Sequence, residues 1–290
     1  MKKLLSLVLV AIFMTTCFVN IAPSVYAAEL SIKEGETVTY TMSEYDMYVE
    51  MKQNNTRDSR LAIDTYSIED ELLKVKELSD LELTEKYGYT SEQIEILRNY
   101  DGAAIEESPE LRTVLGATLT ASLTNNRTSS SECNLTYSWT WSKKPFNPYT
   151  DIVGIHVSPL TSQGATTNVT YTSVTGTVKY YTTGNIYVAT DSTAPTIGYR
   201  GSTNTLAKTV PIEKRINTTV TGYAKTGSIS ARCIPAASGT SFGDVKVYAA
   251  YGHSTTTASP SFDVSGAGAS VSISFISTIN VLGEDFRDFY

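Results

Sequence analysis

Histidine, tryptophan and cysteine are scarce in this 290-residue chain: two, two and three, against 19 tyrosines. With so few imidazoles and thiols, no closely spaced zinc motif of the Cys-x-x-Cys or His-x-x-x-His kind is present. Charge is sparse as well, at 18% of residues. No segment is basic enough to hold nucleic acid, so that class of partner is excluded. Long apolar runs are absent except for one. Leu4 to Ala22 is almost wholly apolar, follows Lys2 and Lys3, and leads to Val25-Tyr26-Ala27 at the −3 to −1 positions of a cleavage site. Residues 1–27 therefore read as a secretory signal peptide. Cys17 comes after Met14-Thr15-Thr16, which is not the setting of a lipidated cysteine. No later run approaches the ~20 residues of a membrane span. The expectation is a secreted, extracellular protein with no stable membrane span once the signal is removed.

Charge is unevenly divided. Residues 28–115 carry 21 acidic and 9 basic residues, whereas residues 116–290 carry 9 and 12. Such a reversal marks two structural units. Residues 28–66 show no clear period and read as an extended lead-in. From residue 67 to 115 the punctuation is that of short helices. Ser67, Ser79 and Thr90 stand as caps, with Asp70, Glu82 and Gln93 three residues on, and Gly88 and Gly102 as stops. Ser108-Pro109 reads as a further start. Leu72, Leu73, Leu81, Leu83, Ile94 and Leu97 supply a small shared core, making this a small acidic helical module.

Beyond Leu115 the pattern has period two. Leu119, Ala121 and Leu123 alternate with Thr and Ser, as do Val245 and Val247, and Val271, Ile273 and Phe275. Turn residues recur every 8–15 positions. Residues 116–290 are thus expected to form an antiparallel β-sandwich of about eight to ten strands, of Ig-like or Greek-key type. Within it Leu135, Tyr137, Trp139 and Trp141 share one face and Thr136, Ser138, Thr140 and Ser142 the other. The aromatic face belongs to the core. "KKPFNP" is the connecting loop, and the next strand turns Val153, Ile155 and Val157 inward with His156 on the opposite side.

The stretches "LTEKYGYTSEQIEILRNYDG", "YSWTWSKKPFNPYTDIVGIHVS" and "YGHS" resemble a loose group of uncharacterised secreted proteins of Gram-positive, Firmicutes-type bacteria. The resemblance implies export and a β-rich C-terminal region. It carries no activity and so assigns no catalytic residue.

Six residues are singled out as binding candidates: Asp151 and His156, which packing does not explain; His253; and Tyr180, Tyr181 and Tyr187, in Thr-rich strands with one face expected to be exposed. Cys133 and Cys233 are a possible disulfide. In the chain-entropy model closing such a loop is worth up to ~4.7 kcal/mol; the other reading is two buried thiols. No catalytic residue, metal site or cofactor is assigned. The partner is expected to be an extracellular protein or glycan, and the function that of a non-enzymatic binding module. A secreted hydrolase with dispersed acids is the alternative. A β-pore-forming protein is a third, because residues 165–191 are Thr-rich and polar in the manner of amphipathic pore strands; their alternation, kept only in patches, counts against it.

One motif competes with this reading. Residues 239–243, "GTSFG", match the Gly-x-Ser-x-Gly nucleophile elbow, but residues 244–252 read as a strand where the elbow needs a helix. Ser241 is accordingly expected to sit in a turn. Ser241→Ala should change stability by no more than ~0.5 kcal/mol, measured by denaturant unfolding. A fluorophosphonate probe should leave Ser241 unlabelled in the folded protein; labelling there would establish the hydrolase.

Overall fold

Leu119, Ala121 and Leu123, expected to point inward, line the interior of a two-layer β-structure. In the computed structural model, residues 30–31, 37–55, 67–198, 203–218, 220–254, 261–265, 270–274 and 278–285 are described. The signal segment, and with it Cys17, lies outside them, as does Phe275.

One sheet runs β1 (Leu30–Ser31), β15 (Thr278–Asp285), β12 (Phe242–His253), β5 (Thr150–Thr161), β9 (Thr205–Pro211), β8 (Thr196–Ile197). The other runs β2 (Thr37–Ser43), β3 (Thr118–Ser129), β4 (Glu132–Trp141), β11 (Thr221–Pro235), β6 (Val169–Tyr181), β7 (Tyr187–Asp191). Short β10 (Glu213–Arg215) pairs with the start of β11. A separate hairpin joins β13 (Ser261–Ser265) and β14 (Ser270–Ser274). β1 pairs with β15 in parallel; the ladders within the rest of both sheets are antiparallel. The fold is thus the expected mainly-β sandwich with a small helical part early in the chain. The strands outnumber the eight to ten expected, because edge pieces of two or three residues are too short to leave a period in the sequence.

Helices α1 (Glu44–Asn55), α2 (Ile68–Val75), α3 (Asp80–Glu82), α4 (Ser91–Asn99) and α5 (Leu111–Val114) make up the helical part, and α3 runs on into a π-helical turn, Leu83–Tyr87. Their starts obey the local chemistry. The hydroxyl of Ser67 accepts from the Asp70 N–H, and full capping boxes join Ser79 to Glu82 and Thr90 to Gln93. Gly88 ends the π turn at φ 71°, a left-handed conformation that glycine adopts without steric cost. Three expectations are corrected. Leu81 is 67% exposed: the three-residue α3 buries none of its residues, and the core is reached only at Leu83 of the π turn that follows. The last helix begins at Leu111 and not at Ser108-Pro109. Most consequentially, residues 28–66 are not just an extended lead-in. Thr37–Ser43 is a strand of the larger sheet, and Tyr45 and Tyr48 of α1 belong to the helical core with Leu72, Leu83 and Leu97. The helical unit therefore begins upstream of residue 67, and the sandwich takes a strand from before it.

The sandwich core is closed by aromatics. Trp139 and Trp141 are buried on the face the alternation assigned to them. Opposite Trp139 in the ladder stands Gly227, and a Cβ there would lie 2.1 Å from Cζ2 of the Trp139 ring. The indole occupies the space that any other residue's side chain would take. Gly227→Ala must therefore push the tryptophan out of place, and overpacking of this kind costs about 1–3 kcal/mol or more. A chemical-denaturation midpoint unchanged by Gly227→Ala would contradict this packing.

Candidate functional site

The first buried cluster is assembled by Ser43, the last residue of β2, which caps α1. Its hydroxyl accepts from the Asp46 N–H at 3.1 Å and donates to the Asp46 carboxylate at 2.6 Å. The chain turns at once, and the Glu44 N–H donates to the Ala117 carbonyl at 2.7 Å. This aims the Glu44 side chain into the junction between helices and sandwich, where it is fully buried. There the "KKPFNP" loop meets it with backbone donors. The Phe146 N–H lies 2.9 and 2.8 Å from the two carboxylate oxygens, and the Asn147 N–H 3.2 Å from one. Tyr48 Oη donates to Glu44 at 3.0 Å and accepts from Asn147 Nδ2 at 2.7 Å. Phe146 stacks on Tyr87 at 5.7 Å, so the loop is also the apolar dock of the helical part.

His253, at the end of β12, stands between two carboxylates. Its Nε2 is 3.2 Å from Glu44 Oε1, and its Nδ1 is 3.1 Å from both oxygens of Asp151 on β5. Asp151 also accepts from Tyr251 Oη at 2.6 Å and from the Ser254 N–H at 2.8 Å. Tyr251 Oη in turn accepts from Trp141 Nε1 at 3.1 Å, across the two sheets. With an acceptor on each ring nitrogen, the imidazole is doubly protonated. Burial alone would drive its pKa down, but Asp151 and Glu44 outweigh that and hold it up at about 10. Glu44, Asp151 and His253 are each no more than 1% exposed. Both ring nitrogens are taken up by carboxylates, and the group is sealed from solvent. Chemically it is a clamp: it holds four pieces of chain together and has no open position for substrate or metal. Among the described residues no group of three or more His, Cys, Asp or Glu is placed to hold a metal ion.

Of the residues singled out from sequence, Asp151 and His253 meet in this clamp and the others do not. His156 is on the face opposite Val153, Ile155 and Val157, as expected, but that face is covered too: it is 8% exposed and its Nδ1 lies 3.0 Å from Thr205 Oγ1. Burial lowers its pKa to about 4. It is therefore a neutral packed histidine, a correction to its candidacy as a contact residue. Tyr180 is corrected likewise. It faces the core with Val178, fully buried beneath Gly222. Tyr181 and Tyr187 do reach the surface, where they sit opposite one another on β6 and β7 with ring centroids 5.8 Å apart and edge-on. Tyr187 is 53% exposed, the preceding Ile186 67%. Ser241 lies just before β12, and Gly239 turns there at φ 74°. Ser241 and His253 thus stand at opposite ends of one strand, roughly 40 Å apart at ~3.4 Å per residue. Sequence reasoning misses Glu44, Tyr48, Asn147, Trp141 and Tyr251 as a group. One signal is present for Glu44: "SEYD" is a cap pattern of the same type as those recognised further along the chain.

The outer face of the larger sheet is the second feature. Ladder register aligns side chains in rows across five strands, β2 to β3 to β4 to β11 to β6. One row is Thr41, Thr120, Thr140, Thr226 and Lys179; the next is Thr39, Ser122, Ser138, Ser228 and Thr177; the third is Thr37, Thr124, Thr136, Ser230 and Thr175. Fourteen of the 15 positions are Thr or Ser. Neighbouring hydroxyls bond along the rows, as in Thr37–Thr124 at 2.7 Å, Thr39–Ser122 at 2.9 Å and Thr136–Ser230 at 3.1 Å. The first row continues to Thr190 on β7, which is hydrogen-bonded to Tyr187 Oη at 2.9 Å. The tyrosine pair is thus one corner of a hydroxyl-paved surface whose 15-position grid holds one charge, Lys179, and at that corner Lys225 Nζ lies over the Tyr181 ring at 5.6 Å.

No protein-family model and no curated protein matches this sequence. Among solved structures, one titled "AvmM Catalyzes Macrocyclization in Alchivemycin A Biosynthesis" is similar over 56% of this chain and 82% of that chain, at 8% identity and a TM-score of 0.26. A superposition that poor carries no argument.

The clamp has a pH signature. The folded pKa of His253, about 10, lies above its ordinary 6.5. The stability it contributes is therefore complete below about pH 6.5 and is lost as pH rises toward about 10. Lys143 and Lys144, whose pKa values burial lowers, act with the opposite sign near the top of that range, so the comparison with His253→Gln isolates the effect. The variant should lose about 3–5 kcal/mol near neutrality, because it leaves two carboxylates buried without their cation, and the loss should shrink on approach to pH 10. Parallel stability profiles for the two proteins would refute the ionic clamp.

Proposed function

We propose that this is an exported, non-enzymatic binding module that holds a neutral, polyhydroxylated extracellular partner, a glycan, on the outer face of its larger sheet. The observation that carries the reading is the paved face. Side chains repeat every ~4.8 Å across strands and ~6.8 Å along them, each offering a donor and acceptors at low conformational cost. Anionic polymers are disfavoured because Lys179 is the one charge in the grid. A protein partner is disfavoured because the grid has no aromatic, arginine or aliphatic anchor of the kind that dominates such interfaces. Tyr181 and Tyr187 supply amphipathic rings at the corner, where a sugar face can pack.

The hydrolase alternative has less support. Asp151 is consumed by the clamp. Glu132 pairs with Arg232, Asp191 with Lys208 and Lys214, and Glu213 with Lys144. Those four acids of the sandwich are spent on cations and not set opposite one another, as paired catalytic carboxylates must be.

The test is retention of the purified chain on insoluble neutral polysaccharides, with anionic polymers as comparators. Tyr181→Ala with Tyr187→Ala should weaken retention by roughly tenfold, about 1.4 kcal/mol, with the circular dichroism unchanged. A glutamate at Ser138 and another at Ser228 should abolish it. Binding to the neutral polymer should also be insensitive to salt, since no exposed charge pair is formed. Retention on anionic polymers alone, or retention indifferent to both double variants, would overturn the proposal.

A further inference from the structure

Cys133 and Cys233 are separated by 100 positions but face each other directly in the β4–β11 ladder. Residues directly opposite in an antiparallel pair have Cα atoms roughly 4.5 or 5.5 Å apart, depending on which kind of pair they form. Both distances fall within the ~4.4–6.8 Å that a disulfide spans. Both side chains point into the sandwich core, fully buried, and the structure holds them as thiols. We propose that this pair is a built redox site, closed to an intramolecular disulfide by thiol–disulfide exchange with a disulfide-bonded oxidant while the chain folds.

The surroundings assign the two sulfurs different parts. A hydrogen bond from Cys233 holds the Cys133 thiol below its ordinary range, with Arg127 and Asn125 adding to the effect against burial. Cys233 is pushed up by that same bond and by burial. Asn125 Oδ1 lies 3.1 Å from Cys133 Sγ, and its Nδ2 has no partner among the described residues. Turning that amide over would bring its N–H to the sulfur, as a thiolate requires. Cys133 is therefore the attacking thiolate. Its sulfur bonds to one sulfur of the oxidant, breaking the oxidant's S–S bond and releasing one thiolate. Cys233, losing its proton, then attacks Cys133 Sγ and expels the oxidant's second sulfur. One S–S bond forms in the chain and one is lost from the oxidant, which leaves as two thiols carrying the two protons. Because both sulfurs are buried in the finished core, the exchange belongs to folding, once β3 has brought Asn125 and Arg127 alongside β4 and before the opposite sheet closes over the sulfurs.

The bridge would also fix alignment. A slip of two residues between β4 and β11 keeps every side chain on its proper face but offsets the hydroxyl rows of the outer face. A Cys133–Cys233 bond permits only the register seen.

The experiment refolds the full chain in glutathione buffer, largely oxidised, then unfolds it with iodoacetamide and without reductant, and maps its peptides by mass. The expected result is alkylation of Cys17 alone, a linked peptide containing Cys133 and Cys233, and alkylation of both after reduction. Reduction should also lower the denaturant midpoint while leaving the β-sheet dichroism intact. Alkylation of Cys133 and Cys233 without reductant would overturn the proposal, as would a disulfide of either with Cys17 or with a second chain. A second measurement covers poor refolding. Native chain, purified reduced, is pulsed with oxidised glutathione at mild denaturant. Cys133 should give the first mixed disulfide, and adducts confined to Cys233 would contradict the roles of the two sulfurs.

Discussion

A protonated imidazole held between two carboxylates with no access to water is an expensive arrangement, and the rest of this molecule is organised so that it can exist. Each ion costs several kcal/mol to desolvate. The cost is offset by geometry: Glu44 takes up Phe146 and Asn147 backbone donors and the Tyr48 hydroxyl, and Asp151 takes up the Ser254 N–H and the Tyr251 hydroxyl. Remove any piece and an unpaired charge is left inside. The clamp thus makes the first helix, the "KKPFNP" loop and the ends of β5 and β12 conditional on one another. It ties the helical unit to the sandwich, so different in composition, through buried bonds from Glu44 to the loop and to His253.

The two layers divide the chemistry of the larger sheet cleanly. Strict alternation sends Trp139, Trp141, Tyr137 and Leu135 into the core and threonine and serine outward. Threonine satisfies two demands together, since its branched Cβ favours the extended backbone and its hydroxyl bonds to the next strand's. Neighbouring hydroxyls of the larger sheet thus bond to one another in part and keep further bonding capacity directed outward. Within the grid Lys179 is the one ion among 15 aligned positions, and that is why the face attracts a functional reading where single exposed threonines would not.

How much of this the bare sequence discloses depends on the range of the interaction. Caps at Ser67, Ser79 and Thr90, and the alternation in β3 and β4, are set by residues a few positions apart and are legible. Glu44 is not, because its partner His253 lies 209 positions away. Asp151 stands out in the sequence as a residue that packing does not explain, and His253 as one of two histidines, but nothing in their spacing names the third member. Tyr180 is misplaced because register shifts beside it, between Ala224 and Thr226 and between Tyr180 and Tyr181, make the outward face hard to follow. His156 misleads for a different reason. Its strand is buried on both faces over residues 151–157, and period two cannot reveal a second cover.

The span between Glu44 and His253 also has a temporal meaning. A chain that emerges with its N-terminus leading has already released β2 and the first helix when most of the sandwich is still to come. Glu44 must then wait, charged and solvated, through more than 200 residues before its imidazole arrives on β12. The pairing of β1 with β15, at opposite ends of the sequence, imposes the same delay on the smaller sheet. Native assembly is therefore a terminal event, with high contact order and correspondingly slow closure. A chain truncated a few residues before His253 should resemble an unfinished protein far more than a slightly shortened one.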